Sequence, residues 1–342
     1  MVITTFFTAF FTCIVYLKIA ILLLKKFIPK GQPIRLEGPE NHITQKKNTP
    51  TFGGVVFVFI SLITHIVIML QHNEMKNIFL WLPSLCMLSY GALGFYDDFL
   101  KVKLHHSNGV SAVVKLCIQL AIGAAIAFCI SQYHFSLSKI WIPIIDVKIQ
   151  VNSIIYCIWG ALVLVASSNA FNLTDGVDGL ATTTSIIVII SEIVVLCFFY
   201  SHFSDNNSSS LEEVSNIILL SLCFSLLGSL FGFLIYNKHP AKIFMGDVGS
   251  MSLGGFIGCI ALITRCELLL LLFAIVPVLE TLSVILQVSY YKITKNRLFL
   301  MTPIHHHYEK KGWTENKINI RFGTLSIISC IIGLLLLYSS MN

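Results

Sequence analysis

The chain has 342 residues, of which 56% are hydrophobic and only 12% charged, and its mean hydropathy is +0.82. A water-soluble domain carries about 25% charged residues, so the composition excludes a soluble globule and describes an integral membrane protein. The net charge of +6 resides in loops, so it reports membrane orientation and anionic partners and excludes nucleic acid as the target.

A bilayer core asks for windows of about 20 apolar residues, and about ten such spans are predicted. They are Val2–Leu24, Gly53–Leu70, Ile78–Tyr96, Ala112–Ser131, Val151–Ser168, Leu180–Tyr200, Asn216–Tyr236, Gly249–Ile263, Leu268–Val288 and Phe322–Tyr338. The fold expected is therefore all-α and polytopic, a single membrane domain over residues 1–342. The first run lacks a basic leader and an Ala-x-Ala site, and Lys25 and Lys26 follow it, so it reads as a retained span rather than a signal peptide. The eighth is short, and its Gly254, Gly255 and Gly258 suit close helix packing inside the bundle. The ten cysteines form no CxxC pair and fall mostly inside apolar runs, as bulk thiols do.

Lys and Arg set the orientation. They crowd the loops Lys25–Lys47, Lys101–Lys103, Lys238–Lys242 and Lys292–Arg321, whereas the alternate loops hold only Lys76, Lys139, Lys148 and Arg265. The first set is therefore cytoplasmic, both termini face outward, and the acidic, Ser/Asn-rich stretch Ser204–Ser215 lies outside. The loop Gln132–Gln150 alternates apolar and polar residues around Pro143 and Asp146, a pattern that fits a short β-hairpin on the outer face. No internal repeat is visible, which argues against the duplicated folds of many transporters.

Along the chain, the polar residues gather at the basic side. Thr49-Pro50-Thr51-Phe52-Gly53-Gly54, after Lys46 and Lys47, joins bases to a rigid turn. Asp97-Asp98 closes the third span; the bland reading is a solvated helix end, the sharper one a cation site. Lys115 starts the fourth span, from where it can snorkel to headgroups. Asn169-Ala-Phe-Asn172-Leu-Thr-Asp175-Gly-Val-Asp178-Gly offers hard oxygen ligands and two flexible glycines without any base, yet lacks the spacing of an EF-hand. Asp247, between glycines at the start of a helix, is either an N-cap or a metal ligand beside a phosphate. His305-His306-His307 diverge too much to share one metal, and one or two of them facing the site would serve as phosphate partners. Two acids lie deeper, Glu192 and Glu280, the second just after Pro277 at an expected helix break near the active face; their cost in lipid makes each a site candidate or one half of a buried polar pair.

TPTFGG, GFYDDFLKV, SNAFNLTDGVDGLA, YNKHPAKIFMGDVGS, VPVLETLSVILQV and MTPIHHHYEKKGW occur in this order over nearly the whole chain. In them the sequence resembles the phospho-N-acetylmuramoyl-pentapeptide-transferase family, within the polyprenyl-phosphate N-acetylhexosamine-1-phosphate transferases. The resemblance implies transfer of phospho-MurNAc-pentapeptide from its UDP carrier to undecaprenyl phosphate, giving lipid I and UMP, with Mg²⁺ required. It also implies a homodimer among the lipids of the bacterial inner membrane, its active site on the cytoplasmic face. Carried over residue by residue, the catalytic positions are Asp97, Asp98, Asp247, Lys115, His305 and His306, with Asp247 the Mg²⁺ ligand. The substrate-binding positions are Lys46, Asn172, Asp175, Asn237 and His307. The chain departs from the pattern at Asn48, at Phe52 where Met is usual, and at His105-His106. Two alternatives stand beside this reading: a GlcNAc-1-phosphate transferase, and a cation-coupled permease, which would need its acids near the midplane.

Overall fold

The computed structural model describes residues 2–27, 46, 49–104, 109–133, 138–203 and 210–340. The basic loop before Lys46, Lys47, Asn48, His105-His106 and residues 204–209 of the Ser204–Ser215 stretch lie outside the described residues. The elements are α1 (Val2–Phe27), α2 (Gly54–Gln71), α3 (Ile78–Leu104), α4 (Ala112–Tyr133), β1 (Lys139–Ile142), β2 (Val147–Gln150), α5 (Ser153–Thr174), α6 (Leu180–Phe203), α7 (Ser210–Asn237), α8 (Gly246–Ile263), α9 (Leu270–Phe273), α10 (Ile275–Thr294), α11 (Ile304–Lys310) and α12 (Glu315–Ser339). The protein is an all-α, multi-pass membrane protein: among the described residues nine helices are long and apolar enough to cross a bilayer.

The bundle is organised around α8, whose span is 94% buried and packs on α2, α3 and α5. Its glycines make this approach possible: a methyl group on Gly254 would fall 2.5 Å from the Ser167 carbonyl of α5, and one on Gly54 of α2 would fall 2.3 Å from the Gly249 Cα. Ser167 and Ser168 donate to the carbonyls of Gly254 and Met251 at 2.7 and 3.2 Å, closing the same contact with hydrogen bonds. Small residues and serines replace the hydrophobic driving force that lipid cannot supply between helices. Many large apolar side chains of α1, α10 and α12, such as Phe11, Leu282 and Ile331, stay exposed, as a lipid-facing rim requires.

The expected hairpin is present as two antiparallel strands, with Trp141 opposite Lys148 and the Trp141 Nε1–H donating to Asp146 Oδ1 at 2.8 Å. One expected span is corrected. Residues 268–288 do not form a continuous helix: the chain breaks at Ala274 between α9 and α10 (φ −100°, ψ 37°). Pro277 lies in the first turn of α10, where its missing N–H costs no hydrogen bond. At the site end, other helices outrun the apolar windows. α3 continues past Asp97-Asp98 to Leu104, and α5 past Ser168 to Thr174.

Candidate active site

The polar loops converge at one end of the bundle, where α3, α5 and α7 end and α4, α6, α8 and α12 begin. Asp97 and Asp98 are not a solvated helix end: their side chains are 4% and 0% exposed. Gly94, one turn earlier on the same face, lets α3 press against the backbone of Asp247. One carboxylate oxygen from each of Asp97, Asp98 and Asp247 lies within 4.8 Å of the other two.

Asp247 is in the first turn of α8 but does not cap it; the N-cap position is Met245 and carries no side-chain cap. Its carboxylate instead gathers partners from three helices. Oδ2 meets Lys101 Nζ at 3.0 Å and Lys115 Nζ at 2.9 Å, and Oδ1 accepts from Asn172 Nδ2 at 2.8 Å. Asn172 also donates to Ser250 Oγ at 3.0 Å. Lys115 therefore turns inward instead of snorkelling to the headgroups. Lys101 bridges the whole cluster, at 2.6 Å from Asp97 and 3.8 Å from Asp98. The Val110 N–H donates to Asp97 at 2.7 Å, and the Val248 N–H to Asp98 Oδ2 at 3.3 Å. That last bond occupies a backbone donor which the sequence alone offers to a phosphate.

The glycine-rich segments form the floor. Gly53 and Gly54 donate their N–H groups to the Phe244 and Met245 carbonyls, both at 2.9 Å, and the Phe244 N–H donates back to Pro50 at 2.8 Å. This stitches the TPTFGG turn to the loop before Asp247. Gly246 has φ +75°, and a Cβ there would lie 2.5 Å from Asp98 Oδ2 and 2.8 Å from Thr51 Oγ1. Phe52 also takes a positive φ of 70°, a conformation costly for an aromatic residue, while its ring lies 5.3 Å from that of Phe95.

A second cluster lies beside the first. Lys46 Nζ is 2.8 Å from Asp178 and 3.0 Å from Glu315, and His239 Nδ1 is 3.1 Å from Asp178. Asp178 also accepts from the Ala241 N–H at 2.9 Å, while its own N–H donates to Glu315 at 2.8 Å. Although burial works against its charge, Asp178 and Glu315 hold the Lys46 ammonium above its ordinary pKa. Asp175 stands between the clusters at the end of α5. Burial pushes its carboxyl up to about 7, reinforced by Asp247 and Asp178 and opposed by Lys46 and His305.

The remaining sequence-predicted positions separate. Asn237 is buried, accepting from Thr182 Oγ1 at 2.6 Å and donating to the Ile243 carbonyl at 3.0 Å, so it braces the loop that leads to Asp247. His305 is fully buried, with Nδ1 3.1 Å from Glu280, whereas His306 pairs with Glu309 and His307 Nδ1 accepts from the Leu300 N–H at 3.1 Å. The triplet is thus three differently held imidazoles, not a surface run. Glu192 lies about 18 Å along α6 from its first residue, at 1.5 Å per residue. It is 3% exposed, and neither carboxylate oxygen has a hydrogen-bond partner among the described residues.

Sequence reasoning passed over Lys101, His239, Ser250 and Glu315, and it offered Asp178 only as one of several hard oxygens, whereas that carboxylate pairs with Lys46 and His239. Lys101 carried a local signal, standing three and four residues after the two aspartates, the spacing at which helical side chains meet. Glu315 and His239 had none, because only the folded chain brings them to Asp178.

The donor set fits a hard divalent cation. Three carboxylates supply clustered oxygens, and the buried Asp98 Oδ1 accepts no hydrogen bond among the described residues.

Residues 80–265 match the model of glycosyl transferase family 4. The chain is 39% identical over 336 residues to the phospho-N-acetylmuramoyl-pentapeptide-transferase of Wolbachia sp. subsp. Drosophila simulans (strain wRi), covering 95% of this chain and 96% of the relative. The enzymes of that name from a Nitratiruptor species and from Rickettsia prowazekii (strain Madrid E) are each 38% identical, over 97% and 92% of this chain and 92% and 87% of their own.

Proposed function

Because the chain belongs to the phospho-N-acetylmuramoyl-pentapeptide-transferase family, we propose that it transfers phospho-MurNAc-pentapeptide from UDP-MurNAc-pentapeptide to undecaprenyl phosphate, releasing UMP. The observation that carries this reading is the Asp247 carboxylate, held by Lys101, Lys115 and Asn172 beside Asp97 and Asp98 at one end of a membrane bundle. Carboxylates for a cation and ammonium groups for an anion, at the depth where a lipid phosphate sits, suit a reaction between two phosphates. On this reading the end faces the cytoplasm at a bacterial inner membrane, and the excess of Lys and Arg in its loops supports that orientation. The homodimer implied by the resemblance belongs to the same proposal.

The acceptor phosphate attacks the sugar-bearing phosphorus of the donor, and the bond from that phosphorus to the bridging oxygen breaks as UMP leaves. Two anions must meet, so charge neutralisation dominates the barrier. Lys101 and Lys115 supply two preorganised ammonium groups for the pyrophosphate, and Asn172 orients Asp247. Mg²⁺, held by Asp247 with Asp97 and Asp98, would stabilise the charge that develops on the leaving UMP. No obligatory base is needed: a phosphate monoester has a second pKa of about 6, so the acceptor is mostly dianionic at neutral pH. Asp98, fully buried behind Gly246 and Val248, shapes the loop and the cation site. His239, Lys46 and Asp178 form the wall suited to the polar groups of the nucleotide.

The test is incubation of purified protein with UDP-MurNAc-pentapeptide, polyprenyl phosphate and Mg²⁺, with UMP and the lipid product measured together. UDP-GlcNAc in place of the donor should give no product; a preference for it would move the chain to the GlcNAc-1-phosphate branch. Stoichiometric UMP release without any acceptor lipid would replace direct attack by a covalent intermediate.

A further inference from the structure

Glu280 of α10 and His305 of α11 are both fully buried and face each other beside the Asp175-Gly176 turn. A carboxylate is costly to bury and persists where it is paired. Glu280 meets His305 twice: Oε2 accepts a hydrogen bond from its backbone N–H at 3.3 Å, and Oε1 approaches Nδ1 to 3.1 Å, an electrostatic contact without hydrogen-bond alignment. The opposite edge of the ring presses on the loop. A Cβ on Gly176 would lie 2.2 Å from His305 Nε2 and 2.7 Å from Cε1, so only glycine admits the ring there. The His306 ring packs edge-on at 4.1 Å, and α11 itself is only seven residues long.

We propose that Glu280 is a positioning residue: it grips His305 at the main chain and at Nδ1, and so presents the Nε2 edge to the turn that carries Asp175. The negative charge of Oε1 at 3.1 Å favours the neutral imidazole that carries its proton on Nδ1, and Nε2 is then left as an acceptor facing the loop. The kinetic consequence rests on the phosphosugar-transferase reading; the placement of the ring does not.

The full-length protein, labelled with ¹⁵N-histidine, tests both parts. His305 is assigned by comparison with His305→Gln. In wild type its Nδ1 should resonate as a protonated nitrogen and Nε2 as an unprotonated one. Glu280→Gln keeps length and shape but can place an amide N–H against Nδ1, so the proton should move to Nε2. In that variant kcat should fall roughly 10-fold or more while the donor KM changes little, as when an orienting partner is lost. Gly176→Ala, with Glu280 intact, should shift the same ring signals by forcing the imidazole off the loop, and it serves where Glu280→Gln does not fold. An unchanged His305 spectrum in a folded Glu280→Gln protein, or in Gly176→Ala, overturns the proposal, as does full kcat in the first variant. Absence of UMP release by wild type would sink the transferase reading alone, and the nitrogen shifts would still decide the role of Glu280.

Discussion

Gly94→Ala is the substitution that most directly tests whether helix packing sets the site. Gly94 lies three and four residues before Asp97 and Asp98, hence on the face of α3 that meets α8. An alanine Cβ would stand 2.2 Å from the Asp247 carbonyl oxygen, 2.4 Å from its carbon and 2.7 Å from the Val248 nitrogen. All three atoms are backbone, so no side chain can swing away. Ordinary contact begins near 3.4 Å, and relief therefore requires α3 and α8 to separate by roughly 1 Å at the level of Asp247. Overpacking of this kind costs about 1–3 kcal/mol of stability, and a 1 Å misplacement of catalytic groups costs on the order of 10²-fold in rate.

Turnover by UMP release and a thermal melt of the same preparation separate the two effects. The expected result is a folded protein with a modest loss of melting temperature and about a 100-fold loss of kcat. Gly91→Ala is the internal control: one turn earlier, its Cβ would meet the Ser252 Cβ at 3.2 Å, only a few tenths of an ångström inside ordinary contact. It should keep turnover within about a factor of three, since small overpacking is partly absorbed. A folded Gly94→Ala protein with near-normal kcat, or a Gly91→Ala protein equally impaired, would refute the packing argument.

Asp247→Asn should lose at least roughly 100-fold in turnover and need far more Mg²⁺, because a hard cation loses an anionic ligand; titration of activity with Mg²⁺ after chelation checks it. Lys101→Met should cost about 10- to 1000-fold in kcat, the scale of removing one preorganised electrostatic group, and a variant that keeps full activity would confine charge neutralisation to Lys115. Asp175 gives a pH signature. Its folded pKa is raised from 3.8 to about 7, so its contribution to stability is complete below about pH 4 and is lost as pH rises through 7. Melting temperatures measured in chelator should fall over that window in wild type, and Asp175→Asn should flatten the fall.

Hydropathy and charge bias made the bundle and its polar end legible, because lipid permits little beyond apolar helices and closed barrels. The apolar windows stop at the first charge, whereas helices stop where hydrogen bonding fails. That is why α3 runs on through Asp97, Asp98 and Lys101, whose charged groups meet Asp247 instead of water. The ninth span misled for the opposite reason: its composition is apolar enough, but the backbone breaks at Ala274, three residues before the Pro277 that marks the expected break. Asn237 reads in sequence as a polar site position, while its buried amide accepts from Thr182 and donates to Ile243. The distinction between touching a substrate and bracing a loop lies in tertiary hydrogen bonding, which no local pattern encodes.

Asp97, Asp98 and Asp247 are chemically identical, and packing alone assigns them different work. Their side-chain exposures rise from 0% at Asp98 to 4% at Asp97 and 17% at Asp247. A covalent nucleophile must reach phosphorus in line with the departing oxygen, which a carboxylate walled in by Gly246, Val248 and Lys101 cannot do without a rearranged loop. Asp247 is the most open of the three, yet both its oxygens are engaged, one by two ammonium groups and the other by Asn172. Those partners draw electron density from the carboxylate and make it a poorer nucleophile, while leaving it a good anchor for positive charge. The acceptor phosphate, dianionic above about pH 6, needs no such activation. On the proposed reading, the cluster holds cations where two phosphates meet, and the attacking oxygen comes from the lipid.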